Sequence, residues 1–112
     1  MDCTDMQIRA LVFVAVTLLA NGALAQSAPL QGRIKSFECG DNCYLTVVDA
    51  RGREVTGLCV ARACRPWNER TQIPRSLIGK TVQYTTGVGV QRDGAGNVMG
   101  RMTSFRTIEI LN

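Results

Sequence analysis

Four cysteines, Cys39, Cys43, Cys59 and Cys64, are the residues whose type and spacing most plainly suit chemistry. They come as two close pairs, with three residues inside the first and four inside the second. That spacing fits a tetrathiolate zinc site, whose ligands sit in pairs on turns, and it fits equally a small exported domain stapled by two disulfides. The compartment separates the two chemistries. Ahead of the cysteines, the apolar run Ala10 to Ala20 follows Arg9 and ends at Ala23-Leu24-Ala25, the parts of an export signal with a small-residue cleavage site. The run is interrupted by Asn21 and Gly22 and falls short of the roughly 20 apolar residues that a bilayer-spanning helix needs.

Residues 1–25 therefore read as a signal peptide and residues 26–112 as one domain, with no stable membrane insertion after cleavage. Asp2 and Asp5 are unusual ahead of such a core, and Met6 is an alternative start. In an oxidising compartment, periplasmic or extracellular, the four cysteines are expected as disulfides, with no metal and no cofactor. Two connectivities suit the geometry. One is local, Cys39 with Cys43 and Cys59 with Cys64; the other is crossed, Cys43 with Cys59 and Cys39 with Cys64.

The chain has no histidine. This removes Ser-His-Asp and Cys-His catalysis and the commonest general acid or base, and bridged cysteines have no thiolate to offer as nucleophiles. Seven carboxylates lie beyond the signal: Glu38, Asp41, Asp49, Glu54, Glu69, Asp93 and Glu109. Asp41, Asp49 and Asp93 stand in Gly- or Asn-containing turns, where short acidic side chains cap backbone amides. A metal-assisted hydrolase would need Glu38, Asp41 and Glu54 gathered near an arginine, and the sequence shows no paired acidic motif.

Twelve Lys and Arg against those seven acids leave residues 26–112 at a net charge of +5. Such a surface attracts anionic partners. The charges are scattered, with no basic tail.

The elements that must carry these groups are mostly strands. Leu30 to Phe37 alternates, Gly40-Asp41-Asn42 is a turn, Tyr44 to Val48 is rich in β-branched and aromatic residues, Asp49 to Gly52 is a second turn, and Arg53 to Cys59 is a third strand. In such a meander, alternate turns lie at opposite ends, so all four cysteines gather at one end. Residues whose numbers sum to about 102 should face each other across the second turn.

Ala61 to Arg70 is the one stretch without strand character, and Pro66 limits it to a short turn before the proline or a helix that begins there. The strand from Val82 to Gln91 places Val82, Tyr84, Thr86, Val88 and Val90 on one face, expected to be the core, with Gln83, Thr85, Gly87, Gly89 and Gln91 on the other. After the hairpin turn Asp93 to Asn97, the last strand changes apolar phase, which a bulge between Ser104 and Thr107 would reconcile.

Three meander strands, a short helical connection and a long hairpin make the order of an all-β, five-stranded OB-fold-like barrel with the helix between strands three and four. The stretches Cys39 to Leu45, Leu58 to Trp67 and Asp93 to Gly100 resemble small exported bacterial proteins of that fold. The resemblance implies a fold and a compartment, and no catalytic residue. OB barrels bind oligonucleotides or oligosaccharides across strands two and three, but the five aromatics of residues 26–112 are few for a nucleic-acid groove.

The expected function is a non-catalytic periplasmic or secreted binding module for a protein or an anionic ligand, with nucleic acid unlikely. The alternative is a nuclease-like, metal-assisted hydrolase on the same barrel. Candidate ligand-binding residues are Tyr44, Arg62, Arg65 and Trp67 beside the cysteine-rich end; Trp67 either plugs the barrel under the helix or stands exposed as an anchor.

Overall fold

The computed structural model describes residues 28–111. The expected signal peptide, residues 1–25, and its cleavage site lie outside the described residues. Strands β1 (Leu30–Cys39), β2 (Cys43–Asp49) and β3 (Glu54–Cys59) form the meander, followed by a 3-10 turn (Arg62–Cys64), helix α1 (Arg65–Arg70), a second 3-10 turn (Arg75–Leu77), and the long strands β4 (Thr81–Arg92) and β5 (Val98–Ile110). The sheet closes in the order β1-β2-β3-β5-β4, with β4 returning to β1. This is the OB-fold-like barrel expected from the element order, including the short helix between β3 and β4.

Turn chemistry sets the meander. Asp49 Oδ1 accepts from the backbone N–H of Arg51 and of Arg53, both at 2.9 Å, so the carboxylate closes the turn by standing in for a backbone acceptor. Across it, Tyr44 faces Leu58 and Val48 faces Glu54, each pair summing to the 102 expected. The β1–β2 register slips once, leaving Lys35 as a bulge between Ile34 and Ser36. Above it Cys39 stands opposite Cys43.

Inside, Ile34, Leu45, Val47, Val82, Tyr84 and Phe105 form the buried core. Tyr84 and Phe105 meet edge to face at 5.3 Å between centroids, the arrangement that ring quadrupoles favour. Burial, together with the negative charge of Asp49, pushes the Tyr84 hydroxyl pKa upward.

The connection after β3 closes one end. Pro66 falls in the first turn of α1, where its missing N–H costs nothing, and both forms expected for this stretch occur in succession: a 3-10 turn, then a helix, which begins one residue before the proline. Trp67 points inward with 6% of its surface exposed and packs edge-on against Phe37 at 6.1 Å. Asn68 pins the helix to the barrel by donating to the Cys59 carbonyl at 3.0 Å.

The β4–β5 hairpin contains the anticipated bulge. Thr85 faces Thr107 but Thr86 faces Phe105, so Arg106 is the extra residue. A second bulge leaves Met99 unpaired between Gly100 and Val98. One expectation about this hairpin is corrected. The alternation of β4 holds, with Val82 and Tyr84 in the core, but Thr86, Val88 and Val90 on the same row are exposed. The reason is length. β1 pairs only with Thr81 to Tyr84 and β3 meets β5 only at Ser104 and Phe105, so beyond Thr85 the hairpin leaves the barrel as a two-stranded arm.

Candidate functional site

The four cysteines occupy one end of the barrel in the local pattern. Cys39 is bonded to Cys43 and Cys59 to Cys64, with Cα separations of 4.0 and 5.6 Å. The second bridge forms because the 3-10 turn folds back, Cys64 N–H donating to the Ala61 carbonyl at 2.9 Å, which returns Cys64 to the end of β3. Cys59 and Cys64 are buried and Cys39 and Cys43 half-buried. Pairing at disulfide distance points to an oxidising, non-cytoplasmic environment, and bridged sulfurs offer no thiolate to a metal.

The arm docks onto this end. Asn42, in the β1–β2 turn, donates its amide to the Arg92 carbonyl at 2.7 Å and accepts from Arg92 N–H at 3.3 Å. Gln91 donates to the Tyr44 hydroxyl at 3.0 Å. A β-carbon placed on Gly89 would lie 2.8 Å from Leu58 Cδ1 and 2.9 Å from Ser104 Cβ, so only glycine permits this approach. Beneath the arm, Leu58 lies on the outward row of β3 yet is only 4% exposed.

The glycine row of β4 is thus the packed side of the arm, and the valine row faces solvent. That exposed row carries Val88 (61% exposed), Val90 and Arg92 on β4, facing Thr103, Arg101 and Val98 (61%) on β5, with Met99 (68%) in the bulge beside them. The guanidinium of Arg106 crosses Gly87 and donates to the Val88 carbonyl at 2.7 Å.

The four residues singled out from sequence separate. Arg62 and Arg65 are exposed on the helical connection, which packs against β5. Tyr44 is half-buried and its hydroxyl is engaged by Gln91. Trp67 is withdrawn as a ligand-binding candidate: its ring is the plug under α1 and presents nothing to a partner. Sequence reasoning missed the arm and its anchors Asn42, Gly89 and Gln91. The signal available was the alternation of glycine and valine from Gly87 to Val90, a pattern in which one face has no side chain to fill a core.

The carboxylates do not converge. Glu54 pairs with Lys35 on the barrel surface. Asp49 and Asp93 close their turns, Asp93 Oδ1 accepting from Ala95 and Asn97 N–H at 2.9 and 2.8 Å. Asp41 makes no such cap; its carboxylate lies toward Gly94 at the arm tip. The Asn97 side chain, followed by the turn amides, holds the Asp93 pKa below the ordinary carboxylate value, and the Arg53 amide foremost does the same for Asp49. Among the described residues no three His, Cys, Asp or Glu side chains come together as a metal site would require. A hollow of about 620 Å³ is lined by Gln31, Arg33, Val48 and Asp49 among others, at the barrel end away from the cysteines, and brings no reactive pair together.

No family model matches the chain, and neither curated proteins nor solved structures match it.

Proposed function

We propose that this chain is an exported, non-catalytic binding module that acts in the periplasm or outside the cell and takes an anionic partner. The observation that carries the reading is the imbalance of the surface. Of the twelve Lys and Arg beyond the signal, only Lys35 and Arg53 have a carboxylate of the described residues within ion-pair distance. Asp93 is committed to its own turn, and Asp49 to its turn and to Arg53.

Unpaired cations on a small domain create a positive potential that draws in acidic proteins, glycans or lipid headgroups. The export signal of residues 1–25 and two disulfide-bonded loops fit a protein made for an oxidising compartment. The hydrolase alternative draws no support from the scattered carboxylates.

Retention on heparin and on immobilised polyglutamate tests the reading. Binding should weaken steeply as salt rises, because screening lengths fall from about 30 Å at 0.01 M to about 8 Å at 0.15 M. Arg62→Glu with Arg65→Glu should elute earlier from both columns. Failure to bind either matrix at low salt overturns the anionic-partner reading. A protein recovered from the periplasm whose mass still includes Leu11 to Leu19 overturns the export reading.

A further inference from the structure

We infer that the outward valine row of the β4–β5 arm is a docking face for an acidic protein segment carrying apolar side chains, a deepening that rests on the anionic-partner reading above.

Three features of the arm lead there. First, Val88, Val90 and Val98 lie on one face of a two-stranded ribbon with Met99 beside them, and all four are exposed. Scattered apolar residues on a surface need no explanation, but a contiguous group rimmed by charge marks an interaction site. Second, this face is presented by construction. The opposite face carries Gly87 and Gly89, fits closely over Leu58 and Ser104, and is tied down through Asn42 and Gln91. The arm is therefore pinned with its apolar side outward, so little ordering entropy opposes binding.

Third, the charge on the face has one sign. Arg92 and Arg101 share the row with the valines, and neither has a carboxylate of the described residues within ion-pair distance. The one acid in the arm, Asp93, is turned into its own hairpin loop. A second copy of this chain would set arginine against arginine, so charge complementarity selects a different, acidic partner.

The mode of contact follows from the edge of β4. Asn42 occupies both the N–H and the C=O of Arg92, and Arg106 occupies the Val88 carbonyl. Side chains capping an edge block the addition of another strand. The partner is accordingly received on the face, with the valines and Met99 as anchors and the arginines as the charged rim.

Protein recovered from periplasmic expression of the full-length chain can be titrated against two labelled peptides of equal charge, one alternating glutamate with valine and one alternating glutamate with serine. The valine peptide should bind about tenfold more tightly, the effect of burying a few methyl groups. That preference should vanish in Val88→Ser/Val98→Ser, while both peptides should weaken in Arg92→Glu/Arg101→Glu. Amide shifts on binding should map to residues 86–103. Unchanged retention of Val88→Ser/Val98→Ser on heparin, with near-native circular dichroism, separates loss of the docking face from loss of fold.

Equal affinity for the two peptides, or shifts confined to Arg62 through Arg70, overturns the docking face while leaving the anionic reading standing. Failure of both peptides and of heparin overturns both. Two further results also overturn the acidic-protein assignment: a dimer in sedimentation that Val88→Ser dissolves, and binding to phosphatidylglycerol vesicles in preference to the valine peptide.

Discussion

The inner and outer halves of strand β4 carry the same alternation and meet opposite fates. From Thr81 to Thr85 the apolar row points into the barrel, where Val82 and Tyr84 are buried among Ile34, Leu45 and Phe105. From Thr86 to Arg92, past the bulge at Arg106, the same row of β4 points into solvent, and the glycine row is the one that packs. Period-two alternation states only that two faces differ. Which face is buried depends on what lies across from it, and beyond Thr85 the nearest surface is the outer side of β3 and β2.

The largest contrast should appear when apolar groups are removed from each half. Phe105→Ala, in the fully buried half, is expected to cost about 3–5 kcal/mol in urea unfolding, the range for an aromatic cavity. Val88→Ser, in the exposed half, should stay within about 0.5 kcal/mol of wild type. Equal losses at the two positions would mean that the arm row is buried after all.

Next in size is the cysteine end that anchors the arm. Bridges closing loops this short restrict the unfolded chain by about 2 kcal/mol on the loop-entropy account. Cys59→Ala/Cys64→Ala should exceed that, because both side chains are also buried core. Cys39→Ala/Cys43→Ala should cost less overall but loosen Asn42, and with it the arm, read as faster amide exchange at Arg92.

Gly89→Ala addresses the arm alone. Its new methyl group meets Ser104 Cβ, which has no freedom to swing away, so a destabilisation of about 1–3 kcal/mol is expected from overpacking. The accompanying sign is faster exchange at Gln91 and Arg92 with the amides of β1 and β2 unchanged. Acceleration across the whole barrel to the same degree would show that arm and barrel unfold as one unit.

The smallest effect is a pH dependence at the arm tip. The Asp93 pKa is lowered in the folded state, first by the Asn97 side chain and then by turn amides. A depressed carboxylate stabilises above its unfolded pKa and loses that contribution as pH falls through the folded value, so the effect disappears on the acid side of about pH 4. Exchange at Ala95 and Asn97, corrected for intrinsic rates, should rise as pH falls below that point. Asp93→Asn keeps an acceptor that does not titrate, and its corrected exchange should stay flat.

Much of this molecule is written locally. Asp49 and Asp93 make turns through contacts no more than four residues away, Pro66 sets the entry to α1, and the change of apolar phase near Ser104 predicts the bulge at Arg106. The element order of an OB-fold-like barrel follows from such signals, as does the gathering of the cysteines at one end. What only the tertiary structure decided is which surfaces those elements share. Choosing the local disulfides required Cys64 to fold back onto β3, and burying Trp67 required Phe37 from the first strand. The outward turn of Val88 and Val90 depended on Leu58 and on Asn42, fifty residues before the Arg92 it holds. A strand's own residues determine its two faces, but burial is a property of pairs of surfaces, and the second surface comes from elsewhere in the chain.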